Sequence, residues 1–102
     1  MNEVVVFLAD GFEEIEALTP IDVLRRAGIE VCSIGVTGEI VCGAHNICVK
    51  ADKFIEDYNE ENLEAIILPG GLKGTQNLDS SDFVKEAVSR AYKAEKIVCA
   101  IS

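Results

Sequence analysis

The chain has 102 residues, of which 49 % are hydrophobic; that is the length of one domain, with enough apolar content for a packed core, so disorder is excluded. Eighteen acidic residues against nine basic ones give a net charge of -9, which excludes nucleic acid and anionic membrane surfaces as partners, because both require clustered Lys and Arg. No apolar run approaches the about 20 residues that cross a bilayer, and no basic residues precede the first one, so a cytoplasmic protein that handles small molecules is expected.

In chain order, Glu3 to Ala9 is a β-branched run ending at Asp10-Gly11, and it predicts a strand buried on both faces. Glu13 to Ala27 has helical spacing (Ile15, Leu18, Ile21, Leu24, Ala27) and is stopped by Gly28. Pro20 predicts a kink or a restart within it. Glu30 to Val36 is a second strand and completes a strand–helix–strand crossover. Ile40 to Cys42 and Ile47 to Val49 flank Gly43-Ala44-His45-Asn46 and predict a small antiparallel hairpin. Asp52 to Asn62 is polar, read as loop plus a short helix. Ala65 to Leu68 is a third core strand, cut off by Pro69-Gly70-Gly71, and Gly74 to Asp79 is read as a loop. Ser80 or Ser81 caps a helix over 82–94, with Phe83, Val84, Ala87, Val88 and Ala91 on one face. Lys96 to Ile101 is a fourth parallel-type strand, and Ser102 follows it.

This order predicts an α/β sandwich around a parallel sheet. Four core strands with two long helices leave apolar surface open, so further structure or a partner is expected to complete the sheet. Cys32, Cys42, Cys48 and Cys99 all lie in apolar, β-branched stretches and are read as reduced, buried thiols.

In open α/β sheets, ligands bind beyond the carboxyl ends of the strands. Three such ends carry candidates. Glu16 stands in the first turns of the first helix, placed to share a proton with a thiolate or alkoxide; alternatively Glu13, Glu14 and Glu16 serve only the helix dipole. Gly70-Gly71 offers free backbone N–H groups for an oxyanion, or is only a tight turn. Ser102 occupies a strand-to-helix elbow, or is simply a polar residue after a strand. Cys42-x-x-His45-x-x-Cys48 has metal-ligand spacing, but an extended hairpin need not converge these side chains and a fourth ligand is lacking, so no metal is expected. His45 is the only histidine. It is expected away from the strand ends, and so not as a catalytic base. No phosphate loop is present.

Three blocks carry a family resemblance. The strand Val4-Val5-Val6-Phe7-Leu8 leads into Ala9-Asp10-Gly11-Phe12-Glu13-Glu14-Ile15-Glu16-Ala17 and then Pro20-Ile21-Asp22-Val23-Leu24-Arg25-Arg26-Ala27-Gly28. Ala65-Ile66-Ile67-Leu68-Pro69-Gly70-Gly71 with Gly74-Thr75-Gln76-Asn77-Leu78 forms the second block, and Lys96-Ile97-Val98-Cys99-Ala100-Ile101 the third. Together they resemble the N-terminal portion of the ThiJ/PfpI superfamily, in its deglycase branch. The resemblance implies a flavodoxin-like, three-layer α/β sandwich with a mainly parallel sheet, of which residues 1–102 are one incomplete domain. It also implies a homodimer, a C-terminal half and a site without cofactors. By resemblance, Ser102 stands where the family has a nucleophilic cysteine, Glu16 matches the acid that hydrogen-bonds that sulfur, and Gly71 matches a backbone donor beside it. The family's histidine follows the elbow, so His45 is no substitute. The implied activity is that of a glyoxalase or deglycase on reactive dicarbonyls such as methylglyoxal. The alternatives are an oxidation sensor or chaperone of the same fold, or a non-catalytic interaction domain. Because a serine hydroxyl has no low-pKa form comparable to a thiolate, Ser102 implies weakened catalysis.

Overall fold

The computed structural model describes residues 2–101. The elements run β1 (Glu3–Leu8), α1 (Glu14–Arg26), β2 (Glu30–Gly35), β3 (Ile40–Cys42), β4 (Cys48–Lys50), β5 (Lys53–Phe54), a short 3-10 turn (Ile55–Asp57), β6 (Leu63–Leu68), α2 (Leu72–Asp79), α3 (Asp82–Lys93) and β7 (Ile97–Ala100). The main sheet has the order β5-β2-β1-β6-β7, and each of its pairings is parallel. Strands β3 and β4 form a separate antiparallel hairpin.

Alternation along β1 builds the layers. Val5 and Phe7 face Leu78 of α2 and Val84, Ala87 and Ala91 of α3. Val4, Val6 and Leu8 face Ala17 and Ile21 of α1 and Val41 of the hairpin. Strand β1 is therefore buried on both faces, as its unbroken apolar run predicts. Phe7 also packs against Tyr58 and Phe83, with ring centroids 5.5 and 5.8 Å away. The result is a three-layer α/β sandwich with a mainly parallel sheet. Chain direction across the sheet reverses between β1 and β6: α1 carries the chain to β2 on one side, and α2 and α3 carry it to β7 on the other. That reversal sets the carboxyl ends of β1 and β6 side by side at the switch point of the sheet, where ligands bind in this architecture.

Helix α1 ends as predicted. Gly28 has φ +81°, its N–H donates to the Arg25 carbonyl, and the Ile29 N–H donates to that of Leu24, the paired bonds of a Schellman stop. The Ser81 hydroxyl accepts from the Val84 N–H and caps α3.

Several expectations are corrected. Of the kink or restart expected at Pro20, the restart is not made, because α1 is one helix through it; the missing N–H costs one bond, and packing of Ala17 and Ile21 carries the helix across. Residues 72–79 form α2, not a loop. Glycine is a poor helix former, but Gly74 belongs there because a Cβ would lie 2.8 Å from the Phe12 backbone. Strand β5 adds a fifth strand of only two residues, too short to show alternation. Strand β7 is the exposed edge of the described sheet, with Ile97 and Cys99 open to solvent. Beside it, Leu68, Pro69, Leu78, Val88, Tyr92 and Ile101 line an open apolar groove of about 600 Å³, which is the uncovered surface that the strand and helix count predicts.

Candidate functional site

The turn after β1 is locked onto the start of α2. Gly11 has φ +89°, and a Cβ there would meet Lys73 at 2.7 Å. Asn77 Nδ2 donates to the Asp10 carbonyl at 2.7 Å, and the Glu13 N–H donates to the Gly70 carbonyl at 3.0 Å. Gly71, with φ +104°, nests against the same turn, where a Cβ would lie 2.6 Å from the Gly11 carbonyl oxygen. The glycines at these positions thus let two loops from distant parts of the chain touch backbone to backbone.

Glu16 points into this junction. Its Oε1 accepts the Gly70 N–H at 3.0 Å. A Cβ on Gly70 would overlap that same oxygen and lie 2.6 Å from the Ile101 carbonyl oxygen. The Ile101 N–H in turn donates to the Leu68 carbonyl at 3.0 Å. The Glu16 carboxylate, the Gly70-Gly71 turn and the end of β7 therefore meet at one point on the rim. The Gly71 carbonyl accepts from Thr75 N in the first turn of α2, while the Gly71 N–H has no partner among the described residues. Ser102, the expected nucleophile position, lies outside the described residues; its neighbour Ile101 is at the junction.

Glu14 is the surprise. Expected only to serve the helix dipole, it is 5 % exposed. Its Oε1 accepts from His45 Nδ1 at 2.9 Å, and its Oε2 from the backbone N–H groups of His45 (2.7 Å) and Ile47 (3.3 Å). Burial pulls its pKa up, but these hydrogen bonds outweigh burial and hold it at about 2. The hydrogen bond to Glu14 and the nearby Glu13 carboxylate, 3.4 Å away, raise the pKa of His45. Gly43 is required beneath this contact, because a Cβ there would overlap the Glu14 carboxylate.

The hairpin therefore does not lie away from the strand ends, as its sequence suggested. The Gly11 N–H donates to the Cys42 carbonyl (2.8 Å), the Cys42 N–H to Asp10 Oδ1 (3.0 Å) and the Ala44 N–H to the Phe12 carbonyl (2.8 Å). The expectation of four reduced, buried thiols is also corrected. Cys42 and Cys48 face each other across the hairpin and form a disulfide. Cys32 is buried, and Cys99 is exposed on the edge strand. Ligand atoms of Glu13, Glu14 and His45 lie within 4.8 Å of one another. Both Glu14 oxygens already accept hydrogen bonds there, so docking of the hairpin accounts for the cluster. Glu14 and His45 are 31 residues apart, and no local pattern in the sequence links them.

The model of the DJ-1/PfpI family matches residues 2–102. Parkinson disease protein 7 homolog of Danio rerio is 39 % identical over 98 residues, covering 94 % of this chain and 52 % of that protein. Protein dj-1beta of Drosophila melanogaster is 32 % identical over 97 residues, with the same two coverages, 94 % and 52 %. Among solved structures, a mutant of a DJ-1 superfamily protein from Salmonella typhimurium superposes with a TM-score of 0.95 at 36 % identity, covering 100 % of this chain and 56 % of that one. Toxoplasma gondii DJ-1 in an oxidised form gives 0.93 at 37 % identity, covering 98 % and 55 %. The chain spans about half the length of the curated relatives it matches. With the parallel sheet, its switch point between β1 and β6 and a family match over nearly every residue, the chain belongs to the DJ-1/PfpI family.

Proposed function

We propose that this chain supplies the acid and the oxyanion donor of a cofactor-free site for small reactive dicarbonyls, of the glyoxalase or deglycase kind. The observation that carries the reading is the hydrogen bond between Glu16 Oε1 and the Gly70 N–H, made where the Ile101 carbonyl reaches the same glycine. In this reading the side chain at position 102 adds to the aldehyde carbon of methylglyoxal. The carbonyl π electrons move onto oxygen, and the Gly71 N–H stabilises the developing oxyanion. Glu16 exchanges a proton with the nucleophile, and the family's histidine, supplied from the C-terminal half, serves the later proton transfers. That half also covers the groove along β7, and the assembled protein is a homodimer.

Serine at position 102 makes a poor nucleophile here, because its hydroxyl ionises far above neutral pH and a carboxylate is a weak base for it. The reading therefore expects slow turnover by the intact protein and a gain of at least tenfold in methylglyoxal consumption for Ser102→Cys, abolished again by Glu16→Ala. Equal activity with serine and cysteine would refute the thiolate mechanism. The second reading, an oxidation sensor, draws on the oxidised form of the Toxoplasma gondii relative. It requires a thiol at position 102, which Glu16 would stabilise as sulfinate. Mass spectrometry of the peroxide-treated Ser102→Cys protein tests it: a gain of two oxygens at residue 102 supports it, and an unmodified residue refutes it.

A further inference from the structure

We propose that Cys42 and Cys48 are a reversible thiol–disulfide pair whose state sets how firmly the β3–β4 hairpin tip docks on the start of α1. The ring that the disulfide closes contains the donors and acceptor of the docking contacts: the N–H and carbonyl of Cys42 and the N–H groups of Ala44, His45 and Ile47. Their partners are Asp10 Oδ1, the Gly11 N–H, the Phe12 carbonyl and the Glu14 carboxylate, on the turn after β1 and the first turn of α1. Gly43, inside the ring, lets the backbone close over Glu14. The hairpin has three residues in each strand and does not pair with the main sheet, so its own ladder is marginal in water. Val41, fully buried just outside the ring, anchors the base of the hairpin in both states. The tip beyond it is held by these polar contacts and by two turn bonds of its own, from the Gly43 N–H to the Ile47 carbonyl and from the Asn46 N–H to the Gly43 carbonyl, and the covalent link closes the loop that keeps the docking donors in register.

Reagent access favours exchange. Cys48 is exposed and Cys42 half-buried, whereas Cys32 is sealed in the core. A low-molecular-weight thiol, as its thiolate, attacks Cys48 Sγ; the S–S bond breaks, and Cys42 leaves as a thiolate that takes a proton. A second thiolate attacks the mixed disulfide, forming a small-molecule disulfide and releasing Cys48, which is protonated in turn. Two electrons and two protons pass from two thiols to the cysteine pair, and a low-molecular-weight disulfide reverses the sequence. In reducing compartments such exposed disulfides are transient or redox-sensing more often than structural. No atom of residue 16 or 102 takes part in the exchange.

The test uses the intact protein equilibrated with either reduced or oxidised glutathione, read by amide hydrogen exchange. Reduction is expected to speed exchange at Ala44, His45 and Ile47 at least tenfold while leaving Val5 and Ile66 in the sheet unchanged, and reoxidation is expected to restore protection. Cys48→Ser should reproduce the reduced pattern under both conditions; if that variant fails to fold, the reduced wild-type protein carries the test. Equal protection in the two glutathione states would overturn the proposal. So would failure of oxidised glutathione to re-form the Cys42–Cys48 bond in a disulfide-mapping digest.

Discussion

Replacing Gly70 by alanine sets a methyl group against both sides of the rim junction. Gly70 has no positive φ, so alanine meets no backbone strain there, and the cost is contact alone. The new carbon overlaps Glu16 Oε1 and lies 2.6 Å from the Ile101 carbonyl oxygen. The side chain can swing aside, whereas the carbonyl belongs to a backbone held by the Ile101 N–H on Leu68. Overpacking of this kind costs about 1–3 kcal/mol. Displacing Glu16 also forfeits a hydrogen bond to a charged group, about 1.5–3 kcal/mol. The two losses share one displacement and do not add fully, so about 3 kcal/mol is expected. The assay is denaturant unfolding of the intact protein, with Gly28→Ala as reference. Gly28 has φ +81° and open space around its Cβ position, so only the left-handed conformation is charged there, about 1–2 kcal/mol. A Glu16→Ala background should reduce the cost of Gly70→Ala by about 1 kcal/mol, because only the Ile101 contact then remains. If Gly70→Ala costs no more than Gly28→Ala, or the same with and without Glu16, the three segments do not meet as described.

The Glu14–His45 contact sets a pH window. The folded pKa of Glu14 is about 2 against an ordinary 4.5, so its contribution is present above about 4.5 and is lost as pH falls toward 2. The folded pKa of His45 is raised above 6.5, so its contribution is full below 6.5 and fades as pH rises through the raised value. Stability measured against pH should be highest between these limits, and Glu14→Gln should flatten both flanks; unchanged flanks would show that the contact is not made in solution. Ser81→Ala removes the α3 cap and should cost about 1 kcal/mol in the same unfolding assay. Burial first, and then the negative charge of Glu3, push the Cys32 thiol up to about 11. Iodoacetamide at neutral pH should therefore leave Cys32 unlabelled in the folded protein and label it only after denaturation.

The sheet was legible because its strands are buried on both faces and read as unbroken apolar runs, as in Val4 to Leu8 and Ala65 to Leu68. The stop of α1 was legible because Gly28 acts locally. The meeting of Glu16 with the double glycine was legible because both stand at strand carboxyl ends, which this topology gathers on one rim. Helix α2 was hidden because Gly74 looks like a loop residue until the Phe12 backbone arrives against it. The docking of the hairpin was hidden for the same kind of reason. Glu14 finds His45 across 31 residues, and a pattern of local spacing carries no record of that pairing. Cys42 and Cys48 read as buried hydrophobes from their apolar neighbours. Only the pairing of the two short strands sets them opposite each other.

A crystal structure of the intact protein, with serine or cysteine at position 102, would measure what the proposed chemistry depends on. A side-chain oxygen or sulfur of residue 102 within about 3.5 Å of the Glu16 carboxylate, on the same side of the sheet as that carboxylate, is the predicted result. A residue 102 turned toward the opposite face of the sheet, with the carboxylate bound only to the Gly70 N–H, would contradict it.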